Sequence, residues 1–251
     1  MFSSVFHEVL YKPLFNLFVG LYNIIPGHDL GVVILIITII LRVILYPLTT
    51  ASIKAQKSLQ DLQPKLDAIK KEFPTDKQKQ AQATMELYKN NKVNPLASCL
   101  PLLIQLPLLI ALFWVLRDGL ASKDLATNLY SFVTNPGTLK SISFGFLDLS
   151  KPSIILAVLS GAAQFVQTKM LSRKSPPKEA GAGAKDEDMA TTMNKQMLYM
   201  MPIMTVIIGI KFPAGLSLYW FFSTALMVLQ QYIVFKKPQT PISNDQVVSK
   251  Q

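Results

Sequence analysis

One charged side chain, Arg42, lies inside an apolar stretch that runs from Leu30 to Leu48. A guanidinium near the centre of a membrane helix costs about 2.5–3.5 kcal/mol on insertion scales, so such residues face a bundle interior or a water-filled cavity. Two explanations are open. Arg42 is either a structural residue hydrogen-bonded to a neighbouring helix or a cation in a hydrated site within the membrane.

Polar side chains recur at helical spacing in other apolar segments, as a hydrated site would require. The candidate groove residues are Thr38, Arg42, Gln105, Gln164, Gln167, Ser217, Trp220 and Thr224. If the helices bring these residues together, they line one polar groove. Ser, Thr and Gln also form ordinary hydrogen bonds between helices, so each of them alone has an equally good structural explanation.

The apolar segments lack the groups that catalysis would need. They contain no Asp, Glu or His, and Cys99, the only cysteine, has no partner that would activate it. We therefore expect no enzymatic activity, no metal and no cofactor. A lone cation without carboxylates also argues against a proton relay or a cation-coupled carrier, whereas an anion path stays open.

The composition predicts an all-α polytopic membrane protein. Half of the residues are apolar, only 16% are charged and the mean hydropathy is +0.33. The stretch from Leu30 to Leu48 is about 28 Å long as a helix, close to the roughly 30 Å of a bilayer core. Five transmembrane helices are predicted in all, the others being Leu96–Leu116, Ile154–Met170, Met197–Ile210 and Gly215–Phe235.

The segments between and around the spans complete the predicted organisation. The segment 6–25 is aromatic-rich, which is typical of an amphipathic helix in the membrane interface. The predicted division is an extracytoplasmic interfacial helix in 1–28, a first transmembrane helix in 29–50, a cytoplasmic helical hairpin in 51–93, transmembrane helices two to five in 94–237 with a flexible cytoplasmic loop at 171–195, and a cytoplasmic tail in 238–251.

The distribution of lysine and arginine predicts the orientation. Nine lie in 51–93, six in 169–195 and three in 236–251, whereas the segments on the other side hold six in total. By the positive-inside rule, the hairpin, the second loop and the C-terminus are cytoplasmic and the N-terminus is outside.

Several motifs together resemble a known family. The runs VNPLASCLPLLIQLPLLIALFWVL (93–116) and MMPIMTVIIGIKFPAGLSLYWFFS (200–223), the arginine in IILRVILYPLT and the LQPK of the hairpin are similar to the YidC/Oxa/Alb family of membrane protein insertases. The resemblance covers residues 6–237. It implies a short bacterial form, in which the large extracytoplasmic domain of Gram-negative members is absent.

The resemblance implies a function and a site. It implies an insertase and chaperone of the bacterial cell membrane with a hydrophilic groove, open to the cytoplasm and to lipid, whose central arginine is Arg42 and whose wall includes Gln105, Gln164 and Trp220. The implied partners are nascent membrane proteins and the lipid bilayer, and the implied active form is a monomer. Participation of the Sec translocon, the ribosome and the signal recognition particle is left open. The alternatives are a small-anion transporter and a non-catalytic factor for assembling membrane complexes.

Overall fold

A computed structural model describes residues 2–94, 100–121, 125–171 and 198–236. In these residues the chain is mainly helical. The α-helices are α1 (Phe2–Phe6), α2 (Lys12–Ile24), α3 (Leu30–Ile44), α4 (Tyr46–Glu72), α5 (Lys77–Asn90), α6 (Leu100–Ala121), α7 (Ile154–Leu171), α8 (Leu198–Gly209) and α9 (Ala214–Lys236). A π-helical turn spans His7–Tyr11, a 3-10 turn spans Ala126–Asn128, and strands β1 (Ile142–Ser143) and β2 (Leu147–Asp148) form an antiparallel hairpin.

The N-terminal segment is helical and packs against the bundle along one face. Phe15, Phe18 and Val19 of α2 are buried in the main core, whereas Ile24 at its end is exposed. Pro26 and Gly27 then interrupt the helix, and Gly27 takes a positive φ of 81° that suits glycine. This segment has the two unlike faces expected of the predicted interfacial helix, and its location in the interface stays a prediction.

The first apolar helix ends earlier than the sequence predicted. We expected it to continue to Leu48 and the hairpin to begin at Ala51, but α3 ends at Ile44 and α4 begins at Tyr46. The two helices are bent by 67°. Pro47 explains the break, because a proline has no N–H to donate to the carbonyl four residues earlier, whereas it is well tolerated in the first turn of a new helix.

α9 lies at the centre of the helical bundle. It packs against α3, α4, α6 and α7. Its early residues Leu216, Leu218 and Tyr219 belong to the main buried core. The outer surface of the bundle exposes large apolar side chains such as Ile154 of α7, Ile203 of α8 and Ile233 of α9, which is the pattern of helices that face lipid.

Length and hydropathy support several membrane crossings. The helical stretches Leu103–Leu120, Ile154–Leu171 and Ala214–Lys236 are each long and apolar enough to span a membrane, and the bent pair α3 and α4 makes a fourth candidate. α8 is apolar but short. The described residues therefore contain three or four candidate spans, fewer than the five predicted.

Three further predictions have different outcomes. α4 and α5 form the predicted hairpin and contact each other. The segment between α6 and α7 contains the β hairpin, so the fold is not the purely α-helical one that we predicted. The predicted tail at 238–251, nearly all of the predicted loop at 171–195 and the predicted start of the second span, Leu96 to Cys99, lie outside the described residues.

Candidate functional site

Arg42 lies on α3 and is held by neutral partners from α9. Its Nη2 donates to the backbone oxygen of Ser223 at 2.6 Å and to the Ser223 Oγ at 2.7 Å. Its Nη1 contacts the sulfur of Met227 at 3.7 Å, a weak acceptor. Within the part of the chain that the structure describes, no carboxylate lies within ion-pair distance of Arg42. The guanidinium is thus fixed in place without neutralisation of its charge.

A cleft opens beside this guanidinium. It contains about 320 Å³ of empty space, its open mouth included. Its lining comes from α3, the start of α4, α6 and α9, and consists of Thr38, Leu41, Arg42, Leu45, Thr49, Ile104, Gln105, Leu108, Tyr219, Ser223 and Met227. A charged group and several hydroxyl and amide groups therefore share a cleft whose remaining wall is apolar.

The polar groups of the cleft are oriented by hydrogen bonds. Gln105 of α6 donates from Nε2 to the hydroxyl of Tyr219 at 2.9 Å, which joins α6 to α9. The hydroxyl of Thr38 donates to the carbonyl of Ile34 in its own helix at 2.6 Å. The Thr38 hydroxyl is therefore mainly a hydrogen-bond acceptor for groups in the cleft, whereas the guanidinium of Arg42 offers only donors.

The structure divides the predicted groove residues between two faces of α9. Thr38, Arg42 and Gln105 line the cleft. The other five, which do not line it, are Gln164, Gln167, Ser217, Trp220 and Thr224. Several of them lie where α9 meets α7, because Trp220 donates to the Oε1 of Gln164 at 3.4 Å and Ser217 accepts through its backbone oxygen from Ser160 at 2.9 Å.

The cleft residues of α9 were not among the predicted ones. Tyr219, Ser223 and Met227 follow each other by four residues and so form one stripe of the helix. The predicted stripe through Trp220 and Thr224 is displaced by one residue, which is about 100° around a helix axis. The i, i+4 spacing of Tyr219 and Ser223 is the same as that of Trp220 and Thr224, so spacing and polarity alone did not distinguish the two faces.

A second network, which we call the hinge cluster, joins α9 to the bend between α3 and α4. The Nε2 of Gln230 lies within hydrogen-bond distance of the hydroxyl of Thr49 at 2.9 Å, that of Thr50 at 2.8 Å and the backbone oxygen of Tyr46 at 3.2 Å, and its two N–H groups are shared among these three acceptors. Thr49 also lines the cleft. The hinge cluster therefore connects the cleft to the beginning of the helical hairpin.

The opposite end of α3 is held by a third network, the Asp29 clasp, made of Asp29, Gly31, Ser143 and Phe144. The Asp29 carboxylate accepts hydrogen bonds from the backbone N–H of Gly31 at 2.8 Å, from that of Phe144 at 2.6 Å and from the Ser143 hydroxyl. A Cβ at Gly31 would overlap Ser143 Oγ and the Phe144 ring, so this close approach needs glycine.

The clasp also affects the acidity of Asp29. Burial acts to raise the pKa of its carboxyl, but the hydrogen bonds from Ser143 and from three backbone N–H groups outweigh burial and hold the pKa below its usual value.

Nearby, the first two residues of α9, Ala214 and Gly215, donate to the backbone oxygens of Lys151 and Leu149 at 2.8 and 3.1 Å. The segment between α6 and α7 thus covers this end of the bundle.

Comparison with known proteins identifies the family. The family model of the 60Kd inner membrane protein matches residues 20–241. The membrane protein insertase YidC of Fusobacterium nucleatum is 38% identical over 209 residues, which are 83% of this chain and 87% of that protein. The chain belongs to this insertase family. The YidC of Aeromonas salmonicida is 34% identical over 84% of this chain, which corresponds to only 33% of that longer protein.

A solved structure of the family has a similar fold. The crystal structure of an active YidC insertase with its first transmembrane domain resolved matches with a TM-score of 0.56 and 25% sequence identity. The match covers 94% of this chain and 47% of that one. The chain is therefore a multi-pass bacterial membrane protein of the YidC kind that spans nearly the whole of one relative and a third to a half of others.

Proposed function

We propose that this protein is a membrane protein insertase that receives the hydrophilic tail of a nascent membrane protein in the cleft around Arg42. The observation that carries the proposal is an uncompensated guanidinium held by Ser223 beside the cleft. Because Arg42 has only neutral partners among the described residues, an incoming carboxylate gains a charge-assisted hydrogen bond without displacing another anion. Acidic tails are therefore the preferred cargo.

The position of the cleft fits entry from the side of the hairpin. Arg42 lies about 18 Å along α3 from Leu30, by the helical rise of about 1.5 Å per residue. The cleft extends to Leu45 and Thr49, where the hairpin begins, whereas the other end of α3 is covered at the Asp29 clasp. A tail in the cleft would then have only the remaining part of the bilayer to cross.

The remaining predicted residues have a place in the same proposal. Gln164 and Trp220 are only partly buried where α7 meets α9, and Gln167, Ser217 and Thr224 share those two helices with them. We assign these five to the path along which the apolar segment of the cargo moves from the cleft into lipid. Burial of that segment, at about 25 cal/mol per Å² of apolar surface, would drive its release.

The short helix α8 adds a local effect to the proposal. A helix of the twelve residues in Leu198–Gly209 is about 18 Å long, well below the roughly 30 Å of a bilayer core. Such a mismatch is relieved in part by thinning of the surrounding bilayer.

With α8 counted as a crossing, the proposed topology has five spans. The hairpin and the C-terminus then lie in the cytoplasm and the N-terminus lies outside. A monomer is sufficient for this scheme.

The test is insertion of a single-span reporter into proteoliposomes. We expect Arg42→Gln to reduce insertion of a reporter with an acidic tail by about tenfold, since hydrogen bonds to charged groups are worth about 1.5–3 kcal/mol. Arg42→Lys should retain much of the activity, and a reporter whose tail carries Asn in place of Asp should be insensitive to Arg42→Gln.

The control for this test is Arg117→Gln. Arg117 is an exposed arginine that is paired with Asp118 at 2.8 Å and lies outside the cleft, so its loss should leave insertion unchanged. Equal insertion by all variants would reduce Arg42 to a structural role and favour an assembly factor. Insertion that is lost equally for acidic and neutral tails would refute the charge attraction, and uptake of small anions without insertion would support a transporter.

A further inference from the structure

The turn of the β hairpin carries exposed apolar side chains. Ile142 is 60% exposed, Phe144 is 42% exposed and Phe146 is 83% exposed. Phe144 also has a positive φ of 53°, an uncommon conformation for an aromatic residue. These three residues are called the hairpin tip below. The Phe144 ring lies partly against Gly31 at the beginning of α3, whereas Ile142 and Phe146 are left largely uncovered by the described residues.

The hairpin tip lies at the level where three membrane helices begin. The backbone N–H of Phe144 donates to Asp29, the residue that immediately precedes α3. A few residues further on, Lys151 accepts from the first residue of α9, Ala214, at 2.8 Å, and α7 then begins at Ile154. The hairpin is therefore fixed to one end of the bundle rather than projecting away from it.

At this level the lateral surface of the bundle is already apolar. Ile154 and Ile155, in the first turn of α7, are 71% and 74% exposed. Residues 141–147, with the sequence SISFGFL, contain no charged side chain. Lys140 and Asp148 flank this run on either side. An uncharged aromatic turn between charged residues, at the end of the bundle where a lipid-facing helix begins, has the composition of a segment at the headgroup level.

We propose that the hairpin tip is a lipid anchor, whose Phe146 and Ile142 insert into the adjacent leaflet at the boundary between headgroups and acyl chains. The occupant of this surface is phospholipid, because the tip lies at the end of the bundle where the exposed apolar surface of α7 begins and offers no charge for a partner. Through the Asp29 clasp, the anchor is attached directly to the beginning of α3. Exposed residues that lie in water rather than at the bilayer would not insert into the leaflet in this way.

The experiment measures the depth of spin labels in the full-length protein in phospholipid vesicles. Because Cys99 is the only cysteine, a Cys99→Ser background allows single labels. The test position is Phe146→Cys, the aqueous control is Thr138→Cys in the same segment, and the lipid reference is Ile155→Cys. Accessibility to molecular oxygen is compared with accessibility to a water-soluble nickel chelate.

We expect the ratio of oxygen to nickel accessibility at position 146 to lie near that at 155 and well above that at 138. A ratio at 146 equal to that at 138 would overturn the proposal, since the tip would then lie in water. Low accessibility to both reagents at 146 would overturn it too, because the tip would be covered by another protein or a second copy of the chain.

A second measurement avoids any change in the hairpin. The unmodified protein is reconstituted with a phospholipid that carries a photoactivatable diazirine near the glycerol end of its acyl chain, and adducts are mapped by mass spectrometry. Adducts on residues 141–147 support the anchor. Adducts on α7 without any on 141–147 refute it, whatever the labelled variants show.

Discussion

At the scale of single residues, Arg42 combines firm positioning with an unneutralised charge. The backbone oxygen and the hydroxyl of Ser223 are both within 2.7 Å of Nη2. A carboxylate in that position would have fixed the arginine equally well, but it would also have cancelled the charge through which we propose that an acidic tail is attracted. A neutral acceptor is therefore the choice that suits a binding role rather than a purely structural one.

Ser223→Ala should destabilise the protein by about 1.5–3 kcal/mol, because it removes a hydrogen bond to a charged group. The matched control is Ser160→Ala: Ser160 is also buried and donates to the backbone oxygens of Leu156 and Ser217, both neutral. We expect a smaller loss there, about 0.5–1.5 kcal/mol. Denaturant unfolding in mixed micelles measures both, and an unchanged effect of Ser223→Ala in an Arg42→Gln background would contradict the explanation.

Asp29 should contribute a pH-dependent part of the stability. Its pKa in the folded protein is lowered from the ordinary value of 3.8, so its contribution is fully present above that pH and is lost as the pH falls through the folded-state pKa. Asp29→Asn keeps a capping side chain but removes the charge, so it should cost about 1–2 kcal/mol at neutral pH and flatten the acid end of the stability profile.

The measurement for Asp29 is thermal unfolding in detergent between about pH 2.5 and 7, followed by circular dichroism. Asp148→Asn is the comparison variant, because hydrogen bonds from Ser150 and Lys151 also hold the pKa of Asp148 below its usual value. A stability profile of Asp29→Asn that is parallel to that of the wild type over the whole range would show that the clasp carries no titrating contribution.

At the scale of elements, the bend between α3 and α4 determines where the hairpin points. Pro47 permits the bend, but a missing backbone hydrogen bond does not fix an angle of 67°. The hinge cluster supplies the missing constraint, since one amide, that of Gln230, contacts three groups on the first turns of α4. In addition, Ile53 of α4 packs with Met227 and Val234 of α9 in a small apolar cluster.

Gln230→Leu should therefore loosen the hairpin and cost about 2–3 kcal/mol, since it removes hydrogen bonds each worth about 0.5–1.5 kcal/mol. In the Cys99→Ser background, spin labels at Thr75→Cys in the hairpin turn and Ile155→Cys on α7 report the angle through their distance distribution. We expect a broader distribution in the Gln230→Leu variant than in the parent protein.

Gln231→Leu is the matched control for this prediction. Gln231 is the next residue and is equally buried, but its side-chain oxygen has no hydrogen-bond partner among the described residues. Its replacement should leave the distance distribution narrow. Equal broadening in both variants would mean that general packing of α9, rather than the hinge cluster, holds the bend.

The elements were easier to predict from the sequence than their mutual contacts. Hydropathy located α7 and α9 to within one residue at each end, because their apolar runs are bounded by polar residues. The rotation of α9 about its axis was not predictable in this way, since Ser223 and Thr224 are adjacent and equally polar. The Asp29 clasp was also missed, because it joins residues more than a hundred positions apart and a lone aspartate gives no sign of its partners.

At the scale of the whole molecule, the two ends of the bundle are built differently. At one end, the Asp29 clasp and the contacts of Ala214 and Gly215 join the segment between α6 and α7 to α3 and α9. At the other end, α3 bends into a basic hairpin, and the cleft reaches as far as Thr49. A covered end and an end with an adjoining cleft are what one-directional insertion requires.

This asymmetry, together with the excess of lysine and arginine in the hairpin, leads to a prediction about topology. In intact spheroplasts of a bacterial host, a membrane-impermeant maleimide should label Thr138→Cys, whereas Gln82→Cys on α5 should react only after lysis. Both side chains are exposed, and both variants use the Cys99→Ser background, so differences in reactivity report the side of the membrane.

Equal labelling of both positions after lysis controls for local reactivity. Labelling of position 82 but not 138 in intact spheroplasts would reverse the orientation, and the cleft would then face the compartment opposite to the one where proteins are synthesised. Labelling of both positions in intact spheroplasts would place the two ends of α3 on the same side. α3 would then be a re-entrant element, and Arg42 would not lie across the path of an inserting chain.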